Sequence, residues 1–211
     1  MRTWKLGLLA GVTSLLSLAA ASAPANARAS PDVLVFGIQV SVGGRYDNVR
    51  LCVASGTGVP GGFAADVSFF TEIGVADGVS LQINVPVMRP IVFATVFGML
   101  QFEPDVTLNF RVDGGDTVDF VAGPSLGLSL HYGPDYHSEP SGADRQASFF
   151  AMGPRLGGYL GLDFKRPGEL FNFQLGLHPY FTPLFGVNDP QRHRGVVLGG
   201  MLDGQFRFAP Q

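Results

Sequence analysis

Over residues 78–88, the apolar Val79, Leu81, Ile83, Val85 and Val87 alternate with Ser80, Gln82 and Asn84. A period of two sends the two sets to opposite faces of a strand. The pattern returns over residues 118–132, where Val118, Phe120, Ala122, Leu126, Leu128 and Leu130 oppose Asp119, Gly123, Ser125, Gly127, Ser129 and His131. Over residues 150–164 it sets Phe150, Met152, Leu156, Leu160, Leu162 and Phe164 against Arg155, Gly157, Tyr159, Gly161 and Asp163. After Glu169 it sets Phe171, Phe173, Leu175, Leu177, Phe181 and Phe185 against Asn172, Gln174, Gly176, His178, Tyr180 and Thr182. A last run opposes Val196, Leu198, Leu202, Phe206 and Phe208 to Gly199, Asp203, Gln205 and Arg207. Weaker cases are residues 34–42, residues 63–75 with Asp66, Ser68 and Glu72 on the polar face, and residues 106–112 with Thr107, Asn109 and Arg111. Together these runs predict about eight strands.

The connections alternate in length. Residues 76–78, 113–116 and 165–168 carry the Gly and Asp that tight turns need, whereas residues 43–62, 133–147, 188–193 and the segment after Met88 are longer links. Short turn, long loop, short turn is the rhythm of an up-and-down antiparallel barrel with its hairpins at one end. The apolar stretch from 91 to 100 fits either the upper part of a fourth strand or a short helix starting at Pro90. Pairing Phe164 with Glu169 puts Pro154 opposite Pro179, and the turn after Asp113 brings Pro104 nearly opposite Pro124. These prolines are expected at the upper membrane interface, where ladders loosen.

Alternation does not say which face is inside, but composition does. Only 15% of residues are charged while 46% are hydrophobic, and the polar faces are rich in Gly, Ser, Asn, Gln and Tyr. A water-facing sheet carries more charge, including edge lysines. A lumen filled by side chains tolerates isolated charges of both signs, so the apolar face is expected to meet lipid.

The first residues lie outside that pattern. Arg2 and Lys5 precede an uncharged apolar stretch ending in Ala25-Asn26-Ala27, the three-part form of a secretory signal over residues 1–27. The remaining domain, residues 28–211, loses two of 14 basic residues and none of 17 acids, for a net charge of −5. It has no basic block, so no nucleic-acid partner is expected. Cys52, the one cysteine, forms no internal disulfide; an intermolecular bridge, a modification and a tolerated small residue all fit it.

A signal segment, alternating strands, alternating turn lengths and a last strand ending in Gln205-Phe206-Arg207-Phe208 resemble the small outer-membrane β-barrel proteins of Gram-negative bacteria. The resemblance runs over residues 33–208. It implies an all-β fold, a closed up-and-down antiparallel transmembrane β-barrel of about eight strands. It also implies residence in the cell outer membrane and contact with outer-membrane lipid and the outer-membrane assembly machinery, and points to no cofactor. One departure is the tail: that family usually ends on an aromatic residue, whereas Ala209-Pro210-Gln211 follow Phe208 here.

The polar residues expected in the lumen are Glu72, Arg111, Asp119, Arg155, Tyr159, Asp163, His178, Asp203 and Arg207, with His178 and Tyr180 as a hydrogen-bonding pair. Ser129 and His131 share a face with Asp119, a combination that can activate a nucleophile for acyl transfer. Such spacing is common on strands, and ordinary lumen roles account for all three. His131, His137 and His193 lack metal-ligand spacing, so no metal is expected. Asp135, Glu139, Asp144 and Arg145 read as a solvated loop, and the glycines at 56, 58, 61 and 62 as a flexible one without a phosphate-binding ending. The leading expectation is a barrel with a structural, binding or porin-like permeation role. The alternatives are a lipid-modifying enzyme of the outer membrane and a soluble exported β-sandwich or lipid-binding barrel.

Overall fold

A computed structural model describes residues 34–47, 61–134, 148–165, 171–188 and 195–208. The expected signal segment, Cys52, most of the glycine loop, the acidic loop with His137, His193 and the C-terminal tail lie outside the described residues. The strands are β1 Leu34–Asp47, β2 Gly62–Ala76, β3 Val79–Pro86, β4 Leu100–Phe102, β5 Asp105–Asp113, β6 Val118–Pro134, β7 Ser148–Phe164, β8 Phe171–Gly186 and β9 Gly195–Phe208. Among the described residues one helix, α1 Met88–Phe97, lies between β3 and β4.

Every pairing is antiparallel, and β1 joins β9 as well as β2, which closes the sheet into a barrel. Short β4 and β5 both pair with β6 in one register, Phe102 opposite Leu130 and Asp105 opposite Gly127. They are one stave interrupted at Glu103-Pro104, so the barrel has eight staves. Pro104 has no N–H for the ladder, yet its carbonyl accepts Leu128 N–H at 3.0 Å, which keeps the register.

The faces sort in the sense opposite to a soluble protein. Leu126, Leu160 and Leu177 are 60%, 61% and 56% exposed, whereas Gln82, Asn109 and Gln174 are no more than 2% exposed. Polar interior and apolar exterior are stable together only when the exterior solvent is lipid. Glycine on the lumen face makes room for the few rings that point inward. Phe70 lies over Gly37 and Tyr180 over Gly199, where any Cβ would overlap the ring.

Three expectations need correction. First, Phe164 pairs with Phe173, not Glu169, because the β7–β8 connection is longer than a tight turn. Pro154 is therefore level with Pro183, between the pairs Met152–Phe185 and Leu156–Phe181. Likewise Pro104 falls beside Leu128 rather than Pro124. Second, not all the prolines mark the rim: Pro124 and Pro179 lie six residues above Val118 and Phe173, with exposed Leu126 and Phe181 beyond them, whereas Pro154 lies ten above Phe164. Their effect is on two ladders. The β8–β9 pairing runs unbroken through Pro179 and Pro183, while β7–β8 pairing lapses between Met152 and Leu156, where Pro154 and Pro183 have no N–H, and again beside Pro179. The β5–β6 pairing lapses between Thr107 and Phe110, opposite Pro124. Third, β1 continues to Asp47, which shortens the first loop.

The apolar stretch after Pro86 is helical from Met88, two residues earlier than Pro90. Proline sits in the first turn, where an N–H has no acceptor within the helix. Gly98 ends the helix at φ 62°, a left-handed cap that lets the chain turn back into β4.

Candidate functional site: a lumen closed by two ion networks

Nearest the hairpin end, Glu72 on β2, Arg111 on β5, Asp163 on β7 and Arg207 on β9 form a ring. Arg111 Nη2 lies 2.9 Å from Glu72 Oε1, and its other amino group donates to Asp163. Arg207 Nη2 lies 2.6 Å from Glu72 Oε2, and its Nη1 lies 3.0 Å from Asp163 Oδ2. Each arginine thus bridges both acids, and the ring is charge-neutral. Ser80 donates to Glu72 and Arg207 donates to Gln174, tying in β3 and β8.

At the loop end a second network converges on Glu103, at the interruption between β4 and β5. Its Oε2 lies 2.7 Å from Arg89 Nη1 of α1 and 4.0 Å from Arg155 Nη1 of β7. Its Oε1 lies 3.7 Å from Arg45 Nη1 of β1 and 3.3 Å from His131 Nε2, and accepts from Ser129 at 2.9 Å and Gln101 at 3.3 Å. Each arginine has a second acid on the wall. Arg45 pairs with Asp47 at 2.7 Å, Arg89 with Asp66 at 3.4 Å and Arg155 with Asp105 at 3.6 Å. Arg155 also stacks over Tyr180, 4.1 Å from the ring centre.

Between the two networks most buried side chains are uncharged. Gln39 hydrogen-bonds to Ser41 and Gln205 across β1 and β9, and Gln82 to Asn84 and Asn109 across β3 and β5, with Asp203 level with Ser41. Beside these residues, against the loop-end network, lies a cavity of about 20 Å³ bordered by Gln39, Asn84, Glu103, Arg155, His178 and Asp203, room for about one water.

The structure separates the catalytic candidates. Asp119 is at the hairpin end of β6, ten residues from Ser129, or about 33 Å along a strand. It pairs instead with Lys165 at 2.8 Å. Ser129 Oγ is 2.9 Å from His131 Nε2, but Glu103 approaches the same ring nitrogen, and Nδ1 has no hydrogen-bond partner. A nucleophile, base and acid need the acid on the other nitrogen. That order of groups occurs elsewhere, although neither Asp203 oxygen makes a hydrogen bond among the described residues. Ser125 Oγ lies 2.9 Å from His178 Nε2, and His178 Nδ1 lies 3.3 Å from Asp203 Oδ2, on β6, β8 and β9. Tyr180 does not pair with His178; Tyr159 packs edge-on against the imidazole, 6.3 Å between centres.

Of the expected lumen residues, Glu72, Tyr159, Asp163, His178, Asp203 and Arg207 are buried, Arg155 is 9% exposed, and Arg111 and Asp119 are half-buried toward the hairpin end. Sequence reasoning missed Glu103, Arg45 and Arg89. For Glu103 the signal was present: Gln101, Glu103, Asp105, Thr107, Asn109 and Arg111 keep one parity straight through Pro104.

At the hairpin end, Lys165 Nζ also reaches Asp113 at 3.0 Å. The Gly115 N–H and then Lys165 hold the Asp113 carboxyl below its ordinary value. Hydrogen bonding to Asp119 raises Lys165 above the usual lysine range.

An apolar, strand-built exterior around an ion-paired lumen defines the class: an eight-stranded transmembrane β-barrel. Among solved structures, the chain is similar to the crystal structure of Neisserial surface protein A (NspA). The match covers 83% of this chain and 96% of that one, at 11% sequence identity and a TM-score of 0.50. At this identity the likeness concerns the fold. No family model and no curated protein matches the sequence.

Proposed function

We propose that this is an outer-membrane barrel protein with a structural or binding role, and that its lumen is not a path for solutes. The observation that carries this reading is the pair of ion networks crossing the lumen, with a cavity of only about 20 Å³ against the loop-end one. A hydrated ion or sugar needs many times that volume, which holds about one water. The expected signal segment and the resemblance of the strand pattern to small outer-membrane barrels support export to that membrane. Binding is then left to the outer end, where the longer connections gather. Fractionation of expressing cells tests the location. The protein is expected in the outer-membrane fraction, migrating differently on a gel before and after boiling. Recovery as a soluble periplasmic protein without a heat-dependent shift would refute it.

A second reading, acyl transfer on a lipid ester, is favoured by the connectivity of Ser125, His178 and Asp203. The cavity beside His178 and Asp203 opposes it, because about 20 Å³ is too small for an ester. A fluorophosphonate probe decides: labelling that disappears in Ser125→Ala supports an enzyme, and an unlabelled native barrel rejects it.

A further inference from the structure

β3 ends at Pro86, whereas its neighbour β2 continues upward to Gly62. Pairing between them stops at Ser68–Pro86, so the upper part of β2 has no strand on that side. Such an edge is costly in hydrocarbon, where each backbone group needs a protein partner. Helix α1 takes the vacant place in the wall. Val87 N–H donates to Val67 O at 2.9 Å, Arg89 Nε reaches Ala65 O at 3.5 Å, and Arg89 N–H donates to Asp66 Oδ1 at 3.0 Å.

The outer face of this helix carries no polar group seeking water. Its one charge, Arg89, is turned into the lumen onto Glu103 and Asp66. Outward stand Met88, Ile91, Val92, Ala94 and Val96, the last 66% exposed. Thr95, also exposed, folds its hydroxyl back onto the Ile91 carbonyl at 2.8 Å, which satisfies the side chain within its own helix. A surface helix facing water has a polar stripe on its outer side, and α1 has none. On either side the lipid-facing band continues through Phe63 and Phe69 of β2, Val85 of β3 and Leu100 of β4, all exposed. Val67 lies nine residues above Ala76, which at about 3.3 Å per residue and a tilt near 40° places the start of α1 about 23 Å above the hairpin end. A hydrophobic band is about 25 Å tall, so the first turn of α1 falls at its outer edge.

We propose that α1 is a lipid-contacting part of the barrel wall, with Met88, Ile91, Val92 and Val96 seated among acyl chains of the outer leaflet and Arg89 as its inward anchor. This rests on the reading of the barrel as a membrane protein, and the test keeps the two separable. In a Cys52→Ser background, a nitroxide is attached in turn at Val96→Cys, at Leu160→Cys on the lipid-facing side of β7, and at Asp116→Cys in a hairpin turn. Each protein is reconstituted in dioleoylphosphatidylcholine vesicles after its heat-dependent gel shift confirms folding. The expected result is that Val96 follows Leu160: broadening by oxygen, with loss of the broadening by a water-soluble nickel chelate that Asp116 shows. Broadening of Val96 by nickel while Leu160 stays protected places the helix in water and overturns the proposal. Protection of Val96 from both reagents, with spin–spin coupling between labels, means that a second copy covers the helix and also overturns it. Nickel broadening at Leu160 itself refutes the membrane-barrel reading instead.

Discussion

The two ends of the lumen solve the same problem with different geometry. At the hairpin end, Glu72, Arg111, Asp163 and Arg207 form a cycle in which each group has two partners of opposite charge. At the loop end, Arg45, Arg89 and Arg155 each hold a wall acid and share one central carboxylate, Glu103. A cycle is redundant, because losing one member leaves every other with a partner. In the star each arginine also keeps its wall acid, but losing the centre unjoins the opposite walls and leaves Ser129, Gln101 and His131 without their shared acceptor. Buried ion pairs contribute little net stability over apolar packing, but breaking one is costly. The comparison therefore concerns how much each single loss exposes.

The largest effect is expected at the centre of the star. Glu103→Ala removes the acceptor on which Gln101, Arg45, Arg89, Ser129, His131 and Arg155 converge. Denaturant unfolding in micelles should show a loss of about 3–5 kcal/mol, the range for a broken buried pair. Arg207→Ala should cost less, because Arg111 still reaches both Glu72 and Asp163. Adding Arg111→Ala should then cost more than the two single losses combined, since each arginine covers for the other. Equal losses at Glu103 and Arg207, or additive losses in the ring, would break the distinction between star and cycle.

The smallest effect is expected at the hairpin surface. Lys165→Ala leaves both networks intact, and exposed pairs contribute little, so the unfolding midpoint should not move resolvably. The Asp113 carboxyl has a folded value below its unfolded one. Its contribution is thus present at neutral pH and lost as pH falls through the folded value. The Lys165 ammonium has the opposite sign: its contribution is present at neutral pH and lost as pH rises through its elevated folded value. NMR titration of the Asp113 carboxyl should show its midpoint move back up in Lys165→Ala.

The barrel itself was legible in the sequence because period-two alternation is a direct record of a wall with two unlike faces. Seven of the eight staves follow from runs such as 78–88 and 150–164. The fourth was legible only in its lower half, because Pro104 and the apolar helix above it interrupt the pattern of hydrophobicity without changing the parity of the polar face. The same interruption hid Glu103. The β7–β8 register was not legible, since turn composition at 165–168 is compatible with a tight hairpin while the strand pairing places Phe173 opposite Phe164. Cross-lumen contacts such as Ser125 with His178, or Arg111 with Asp163, depend on closure and register together. No local pattern encodes them.

The most direct test of the closed lumen is single-channel recording of the native protein in planar bilayers. The two networks, with a one-water cavity beside the loop-end one, predict a flat trace at the resolution of the instrument under moderate voltage. Steady, ohmic current steps from the unmodified barrel would contradict the account.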